Sequence, residues 1–229
     1  MTGGRFAGRL LRGPGRRALG GARDAAGGSR LGFRPSGARL RKSLFGVLGS
    51  ELAGAVVFDV CAGAGTLGFE ALSRGAAQCV FFERDAAMRR LIGQNAALLG
   101  LREVEIRSGD AAARLEDAAA RLGVPAASGR LVDFVFCDPP WAAWSTPRGQ
   151  ALFRAALGVR PRAAAFEHPA DHALPGRVVD RGREEVVFFR KRRRVIGWGA
   201  YSLYRRDSRE TAPFLKKVPT ENPGDPSRF

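Results

Sequence analysis

The sequence predicts an α/β fold in which short buried strands alternate with amphipathic helices. Three observations carry that expectation. Apolar runs rich in Val and Phe recur between stretches of helical periodicity, as in Ala55-Val56-Val57-Phe58, Cys79-Val80-Phe81-Phe82 and Leu131 to Cys137. Gly63, Gly65 and Gly68 stand at G-x-G-x-x-G spacing between the first of these strands and a helix. The runs lead into acids: Asp59 after the first, Glu83 after the second and Asp138 after the third named.

A chain of 229 residues, 45% hydrophobic, suits one domain with extensions. Its formal net charge of +16 points to a polyanionic partner, nucleic acid ahead of an acidic membrane surface. No run approaches the roughly 18 apolar residues of a membrane span, so no membrane insertion is expected. Cys61, Cys79 and Cys137 are odd in number and lie in apolar settings, and His168 and His172 are the only histidines. Neither a disulfide framework nor a metal centre is expected, and a reducing, cytoplasmic compartment fits.

Residues 1–33 are rich in Gly and Arg, with Asp24 the only acid. A disordered basic arm, a transit peptide and a ribbon that clamps a phosphate backbone all fit; a lone serine, Ser29, counts against the transit peptide. The domain is expected over 34–207. It opens with a helix that puts Leu40, Leu44, Phe45, Val47 and Leu48 on one face, with Ser36 as its N-cap. Arg39, Arg41 and Lys42 lie off that face; on an isolated helix they would be a solvated surface, but beside the arm and the overall charge they read as backbone contacts.

The segment from Asp59 through Val60, Cys61, Ala62, Gly63, Ala64, Gly65 to Gly68 is small enough for a tight turn and close approach to a nucleotide-like ligand. Glu83, twenty positions beyond Gly63, can accept both hydroxyls of a ribose, which fits NAD and S-adenosylmethionine alike. Asp59 helps to separate them, the bland alternative being an acid that only caps the helix or the loop. A carboxylate at the head of the loop repels a pyrophosphate and favours the ammonium and sulfonium of S-adenosylmethionine.

A helix from Ala86 to Leu98 follows, with Met88, Leu91, Ile92, Asn95 and Leu98 facing the sheet. After a third strand, Val104 to Arg107, Asp110 reads equally as a partner for an adenine amino group and as the N-cap of the helix Ala111 to Leu122. Pro139 and Pro140 then end the strand before them, because neither can donate to a ladder. What remains at the tip is the Asp138 carboxylate, a backbone carbonyl with no neighbouring N–H, and the Trp141 indole. Two acceptors can hold both hydrogens of an exocyclic amino group while the indole stacks on its ring.

Thr146 to Leu157 reads as a helix and Ala163 to Phe166 as a fifth strand, which brings Glu167 toward the site. His168, just before Pro169, is a turn residue sooner than a general base. Two more strands, Glu185 to Arg190 and Tyr201 to Arg205, flank a hairpin containing Lys191, Arg192, Arg193, Arg194 and Gly197-Trp198-Gly199. The basic run fits a solvated hairpin edge and a phosphate-binding loop equally. Residues 208–229 read as a disordered tail.

Arg34-Pro-Ser, Arg39-Leu-Arg41, Leu44-Phe45, the run from Asp59 to Ala76, Glu83, Asn95, Asp138-Pro-Pro-Trp141 and Gly199 to Tyr204 together resemble the RsmD family, bacterial 16S ribosomal RNA guanine-N2 methyltransferases. The resemblance covers about Arg34 to Arg205. It implies a class I methyltransferase (Rossmann-like) fold: a seven-stranded, mostly parallel sheet with an antiparallel last strand and helices on both faces. It also implies S-adenosylmethionine held by Asp59, Cys61, Ala62, Gly63, Gly65 and Gly68, with Glu83 on the ribose and Asp110 near adenine. Asp138 and the Pro139 carbonyl would hold the guanine amine, with Pro140 completing the motif and Trp141 stacking the flipped base. Arg34, Arg39, Arg41, Lys42 and Lys191 to Arg194 would meet ribosomal RNA or the assembling small subunit, the enzyme acting as a monomer. The chain departs from the family's usual Phe-Ala-Gly-Ser-Gly loop with Cys61-Ala-Gly-Ala64-Gly, and carries Trp141 where Tyr or Phe is common. Its N-terminal segment is longer, though Arg5-Phe6-Ala7-Gly8 and Arg12-Gly13 echo the family's hairpin.

Asp-Pro-Pro-aromatic sequences also serve adenine N6 methylation of DNA or RNA. A dinucleotide-dependent oxidoreductase is a rival that Asp59 and Asp138 count against, and an inactive RNA-binding or assembly protein is one that the intact loop and Asp138 count against. Strand alternation turns Cys137 into the sheet, which excludes a cysteine nucleophile at the site.

Overall fold

In a computed structural model of the chain, residues 1–13, 35–121, 132–181 and 185–207 are described. The arm beyond residue 13, Arg34 and the tail over 208–229 lie outside them. Eight strands form one sheet: β1 (Val56–Val60), β2 (Gln78–Phe82), β3 (Glu105–Arg107), β4 (Phe134–Cys137), β5 (Ala163–Pro169), β6 (Arg177–Arg181), β7 (Glu185–Ile196) and β8 (Gly199–Arg206), in the order β3-β2-β1-β4-β5-β8-β7-β6. β1 to β5 are parallel, whereas β8 runs antiparallel to β5 and β7 antiparallel to β8 and β6.

Among the described residues, five α-helices complete the layers: α1 (Pro35–Leu48), α2 (Thr66–Ser73), α3 (Ala86–Leu98), α4 (Ala111–Arg121) and α5 (Pro147–Gly158). Because side chains alternate across a strand, each central strand feeds two cores. Val57, Phe81, Phe134 and Phe136 meet Phe45 of α1, Leu67 and Phe69 of α2 and Ile92 of α3 on one face. Phe58, Phe82, Val135 and Cys137 meet Leu115 of α4 and Leu152 and Phe153 of α5 on the other.

Four differences from the sequence reading concern the elements and the N-terminus. An eighth strand, β6, adds to the expected seven; its residues are exposed or half-buried, so it lacks the apolar run that marks β1, β2 and β4. The run Lys191 to Arg194 lies within β7 instead of in the hairpin loop, past a register irregularity between Arg190 and Arg192. α1 begins at Pro35, which places Ser36 inside its first turn and not at its cap.

The fourth difference is at the N-terminus, where residues 1–13 are docked on the domain. The Thr2 N–H and hydroxyl donate to the two oxygens of Glu70 at 2.7 and 2.5 Å, and the Phe6 N–H donates to Ser73 Oγ at 2.8 Å. The Arg12 N–H donates to Asn95 Oδ1 at 2.7 Å, and Phe6 is buried in the core shared with α2. Glu70, Ser73 and Asn95 are themselves buried polar groups, so each needs such partners.

Candidate active site

The strand order reverses at β1, with β2 on one side and β4 on the other. Open α/β sheets bind ligands at such a switch point, outside the carboxyl ends of the strands. The two segments singled out by sequence meet there. Val60 pairs with Cys137 in register, and the Asp138 N–H donates to the Val60 carbonyl at 3.1 Å, so the glycine loop and the Asp138 motif leave the sheet side by side.

The glycine loop is held from inside. Asp59, 1% exposed near the end of β1, accepts the Gly68 N–H at 2.8 Å, which ties the strand to the first turn of α2. Gly68 cannot carry a side chain: a Cβ there would stand 2.4 Å from the Phe81 ring and 2.6 Å from Cys79 Sγ. Gly63 adopts φ +55°, and a Cβ there would meet nothing within 4 Å; the loop turns there and stays open. Cys61 takes the left-handed region as well, at φ +60°. Burial first, then the Glu83 and Asp138 carboxylates, push its thiol up to about 12. It is a neutral wall and not a nucleophile. Cys137 is fully buried, inside the sheet as strand alternation requires.

Glu83 follows β2, and its side chain folds onto the loop: Oε2 accepts the Gly63 N–H and Oε1 the Asp85 N–H, both at 2.8 Å. Each oxygen keeps a second lone pair, so holding the loop leaves room for ribose hydroxyls. Asp110 occupies the N-cap of α4, with Oδ1 accepting the Ala112 N–H at 3.0 Å. Its other oxygen lies 3.4 Å from the Arg148 guanidinium in the first turn of α5. Of the two readings of Asp110 in the sequence, the cap is the one present in the geometry.

Burial raises the Asp59 carboxyl well above its ordinary value, and the nearby Asp138 and Glu83 carboxylates add to the shift. Three acids thus crowd the switch point. A cationic ligand would relieve that field and a pyrophosphate would worsen it. The acids and the open, tightly turned loop fit the ammonium and sulfonium of S-adenosylmethionine.

Past Asp138, the Ala143 N–H closes a turn on the Pro140 carbonyl at 2.8 Å and begins a short 3-10 helix, Trp141–Ser145. The edge of the Trp141 ring lies 3.3 Å from where a Cβ of Gly199 would stand. Trp144, which the sequence reading passed over, anchors this turn: its indole N–H donates to the Glu167 carbonyl at 2.9 Å, and its ring meets Phe166, His168 and His172.

His168 is excluded as a base. It is fully buried, with Nδ1 2.8 Å from the Pro169 carbonyl and Nε2 2.9 Å from Ser202 Oγ, and burial lowers it to about 4. Asn95 lies on the inner face of α3 as expected, fully buried, and its Nδ2 donates to the Ala64 carbonyl of the glycine loop at 3.0 Å and to the Arg12 carbonyl at 3.2 Å. An amide on the apolar face of a helix was the signal available for that role. Leu98, expected on the same face, is instead 44% exposed at the end of the helix. No helix among the described residues is long and apolar enough to cross a membrane.

Of the basic residues, those of α1 and two of β7 share a face. Arg39 and Lys42 are exposed on α1, and Arg41 is half-buried beside Glu167 and Tyr201. On β7, Arg192 and Arg194 pair with Leu203 and Tyr201, whose side chains belong to the core under α1, so both point to the α1 face. Arg193 lies on the opposite face and donates to the Ala170 carbonyl.

Topology and site together define a class I methyltransferase fold. Residues 23–176 match the family described as Conserved hypothetical protein 95, and the chain belongs to it; this is the RsmD family. Over 110 residues the chain is 34% identical to ribosomal RNA small subunit methyltransferase D of Escherichia coli, covering 48% of this chain and 50% of that protein. The chain spans about half the length of the curated relatives it matches. Solved structures of a methyltransferase from Escherichia coli, yhhF, and of a hypothetical protein from Thermus thermophilus each superpose with TM-score 0.62 at 26% identity. They cover 90% and 88% of this chain and 96% of their own.

Proposed function

We propose that this protein transfers a methyl group from S-adenosylmethionine to the exocyclic N2 amine of a guanine in small-subunit ribosomal RNA, working as a cytoplasmic monomer. The observation that carries the reading is the adjacency of the two strand tips: the Asp138 N–H on the Val60 carbonyl keeps Asp138-Pro-Pro-Trp141 beside the glycine loop. The name of the Escherichia coli relative supports ribosomal RNA as substrate, and the resemblance of Asp138-Pro-Pro-Trp141 supports guanine N2.

When bound, S-adenosylmethionine supplies a sulfonium methyl already activated for in-line displacement. Asp59 sets the loop through Gly68 and faces the cationic end with its charge; Cys61, Ala62, Gly63 and Gly65 wall the ligand, and Glu83 receives the ribose hydroxyls. Asp110, engaged at its cap and by Arg148, borders the adenine. Asp138 and the Pro139 carbonyl accept the two amine hydrogens, which aims the nitrogen lone pair at the methyl and raises its electron density. The Asp138 carboxylate can then take the proton that the methylated amine sheds. Pro140 shapes the turn and Trp141 stacks the base. Arg34, Arg39, Arg41, Lys42 and Lys191 to Arg194 supply phosphate contacts.

The test is tritiated methyl transfer to RNA from a strain lacking the gene, followed by nucleoside mass spectrometry. N2-methylguanosine is expected. N6-methyladenosine would overturn the choice of base, and no incorporation would overturn the reaction. Asp138→Ala should abolish transfer while leaving RNA affinity intact.

A further inference from the structure

Trp198 is 85% exposed, the largest side chain among the described residues to be left so open. It sits in the two-residue turn between β7 and β8, after Gly197 at φ +62°. Its backbone is fixed even though its ring is not covered. The Trp198 carbonyl accepts the Ala170 N–H at 2.8 Å, and Arg193 reaches from β7 to the Ala170 carbonyl, so the tip is tied twice to the chain leaving β5.

The tip also stands on the side of the molecule where the amine cradle opens. Gly199, the next residue, lies against Trp141. Asp138 follows the Cys137–Phe166 pair, Glu167 pairs with Tyr201, and Trp198 lies three residues beyond Tyr201 past the strand ends. Two strand spacings across and three residues along place the two positions about 14 Å apart, a span of a few nucleotides. Arg192 and Arg194, both exposed on the α1 face of β7, lead up to the turn. A fixed aromatic ring at the end of a cationic strand is the arrangement that stacks unpaired bases while cations track the backbone. A duplex offers no base face to such a ring.

Resting on the proposed function, we infer that Trp198 is a second stacking platform, which takes an unpaired base flanking the target nucleotide and selects single-stranded RNA. Trp141 and Trp198 then hold two bases of one strand, with Arg192 and Arg194 beside the phosphates.

The experiment is fluorescence anisotropy of the full chain with a mixed-sequence single-stranded oligoribonucleotide and with the same sequence as a duplex, without methyl donor, at several salt concentrations. Trp198→Ala should weaken single-strand binding about 5- to 100-fold with an unchanged salt slope, and Trp198→Phe should recover most of the loss. Duplex binding should change little. S-adenosylmethionine affinity, measured in parallel, should be unaltered in both variants. Wild-type single-strand affinity in Trp198→Ala, or an equal loss on the duplex, would overturn the inference, as would a Trp198→Phe protein no better than the alanine one. Because binding is read without the donor, failed methyl transfer by the wild type would sink the proposed function and leave this result standing.

Discussion

Asn95, fully buried on α3, joins the glycine loop to the N-terminal segment: one carboxamide donates to the Ala64 carbonyl at 3.0 Å and accepts the Arg12 N–H at 2.7 Å. Two stretches far apart in sequence thus share one side chain. Asn95→Ala would leave buried backbone groups on both without a partner, at about 1–3 kcal/mol. The expected outcome is a lower urea midpoint, faster hydrogen exchange across residues 1–13 and weaker S-adenosylmethionine binding by calorimetry. Asn95→Asp should behave similarly, because a carboxylate accepts from Arg12 but cannot donate to Ala64. Wild-type exchange over residues 1–13 in Asn95→Ala would show that the bridge does not hold the segment.

On the proposed function, Asp59 should make S-adenosylmethionine binding proton-linked. Burial and the neighbouring Asp138 and Glu83 carboxylates raise its carboxyl well above the ordinary range in the free protein. A bound cation favours the ionised form, so binding should release a proton wherever the free carboxyl is still protonated, and affinity should fall as pH falls. Calorimetry in two buffers of different ionisation enthalpy measures the release directly. Asp59→Asn should remove it and weaken binding; a release undiminished in that variant would assign the proton elsewhere.

The parts legible in the sequence are those whose physics is local. Parallel strands buried on both faces are continuous apolar runs, so β1, β2 and β4 announce themselves, and two prolines must end a ladder after Asp138. Glycine spacing and the acids at the strand ends then place the site. What stayed hidden depends on partners distant in sequence. Residues 1–13 have the composition of a loose arm, and what fixes them is distant in sequence: Glu70, Ser73 and Asn95, and the core that takes Phe6. β6 is largely half-buried and the distal half of β7 largely exposed, at the sheet margin where pairing more than burial makes the strand. Asp110 offered two readings because a cap and a ligand contact need the same residue in the same place.

Gly68→Ala tests the packing beneath the loop. The added methyl would meet Phe81 and Cys79 of β2 at 2.4 and 2.6 Å, while the neighbouring strand β1 is tied to Gly68 by Asp59, so the sheet cannot retreat from α2 as a whole without breaking that bond. Overpacking of this kind costs about 1–3 kcal/mol, read as a fall of several degrees in Tm. Combining it with Phe81→Leu should cost less than the sum of the two single changes, since the second makes room for the first. Strict additivity would mean that the methyl is accommodated some other way.

His168 gives the fold an acid sensitivity that is independent of Asp59, Glu83 and Asp138. Its ring is sealed between the Pro169 carbonyl and Ser202 Oγ, and burial, with the fields of Arg193, His172 and Arg190, lowers it from 6.5 to about 4. Between those values the unfolded chain binds a proton that the folded chain refuses. The stability contributed by the neutral ring is therefore complete above about pH 6.5 and is lost as pH falls toward 4, by about 1.4 kcal/mol per unit. Urea unfolding at pH 7.5, 5.5 and 4.5 should show this slope in the wild type. His168→Gln lacks the titration, so it should be less stable at pH 7.5 yet flatter across the same range. Parallel slopes in the two proteins would mean that other groups carry the acid sensitivity.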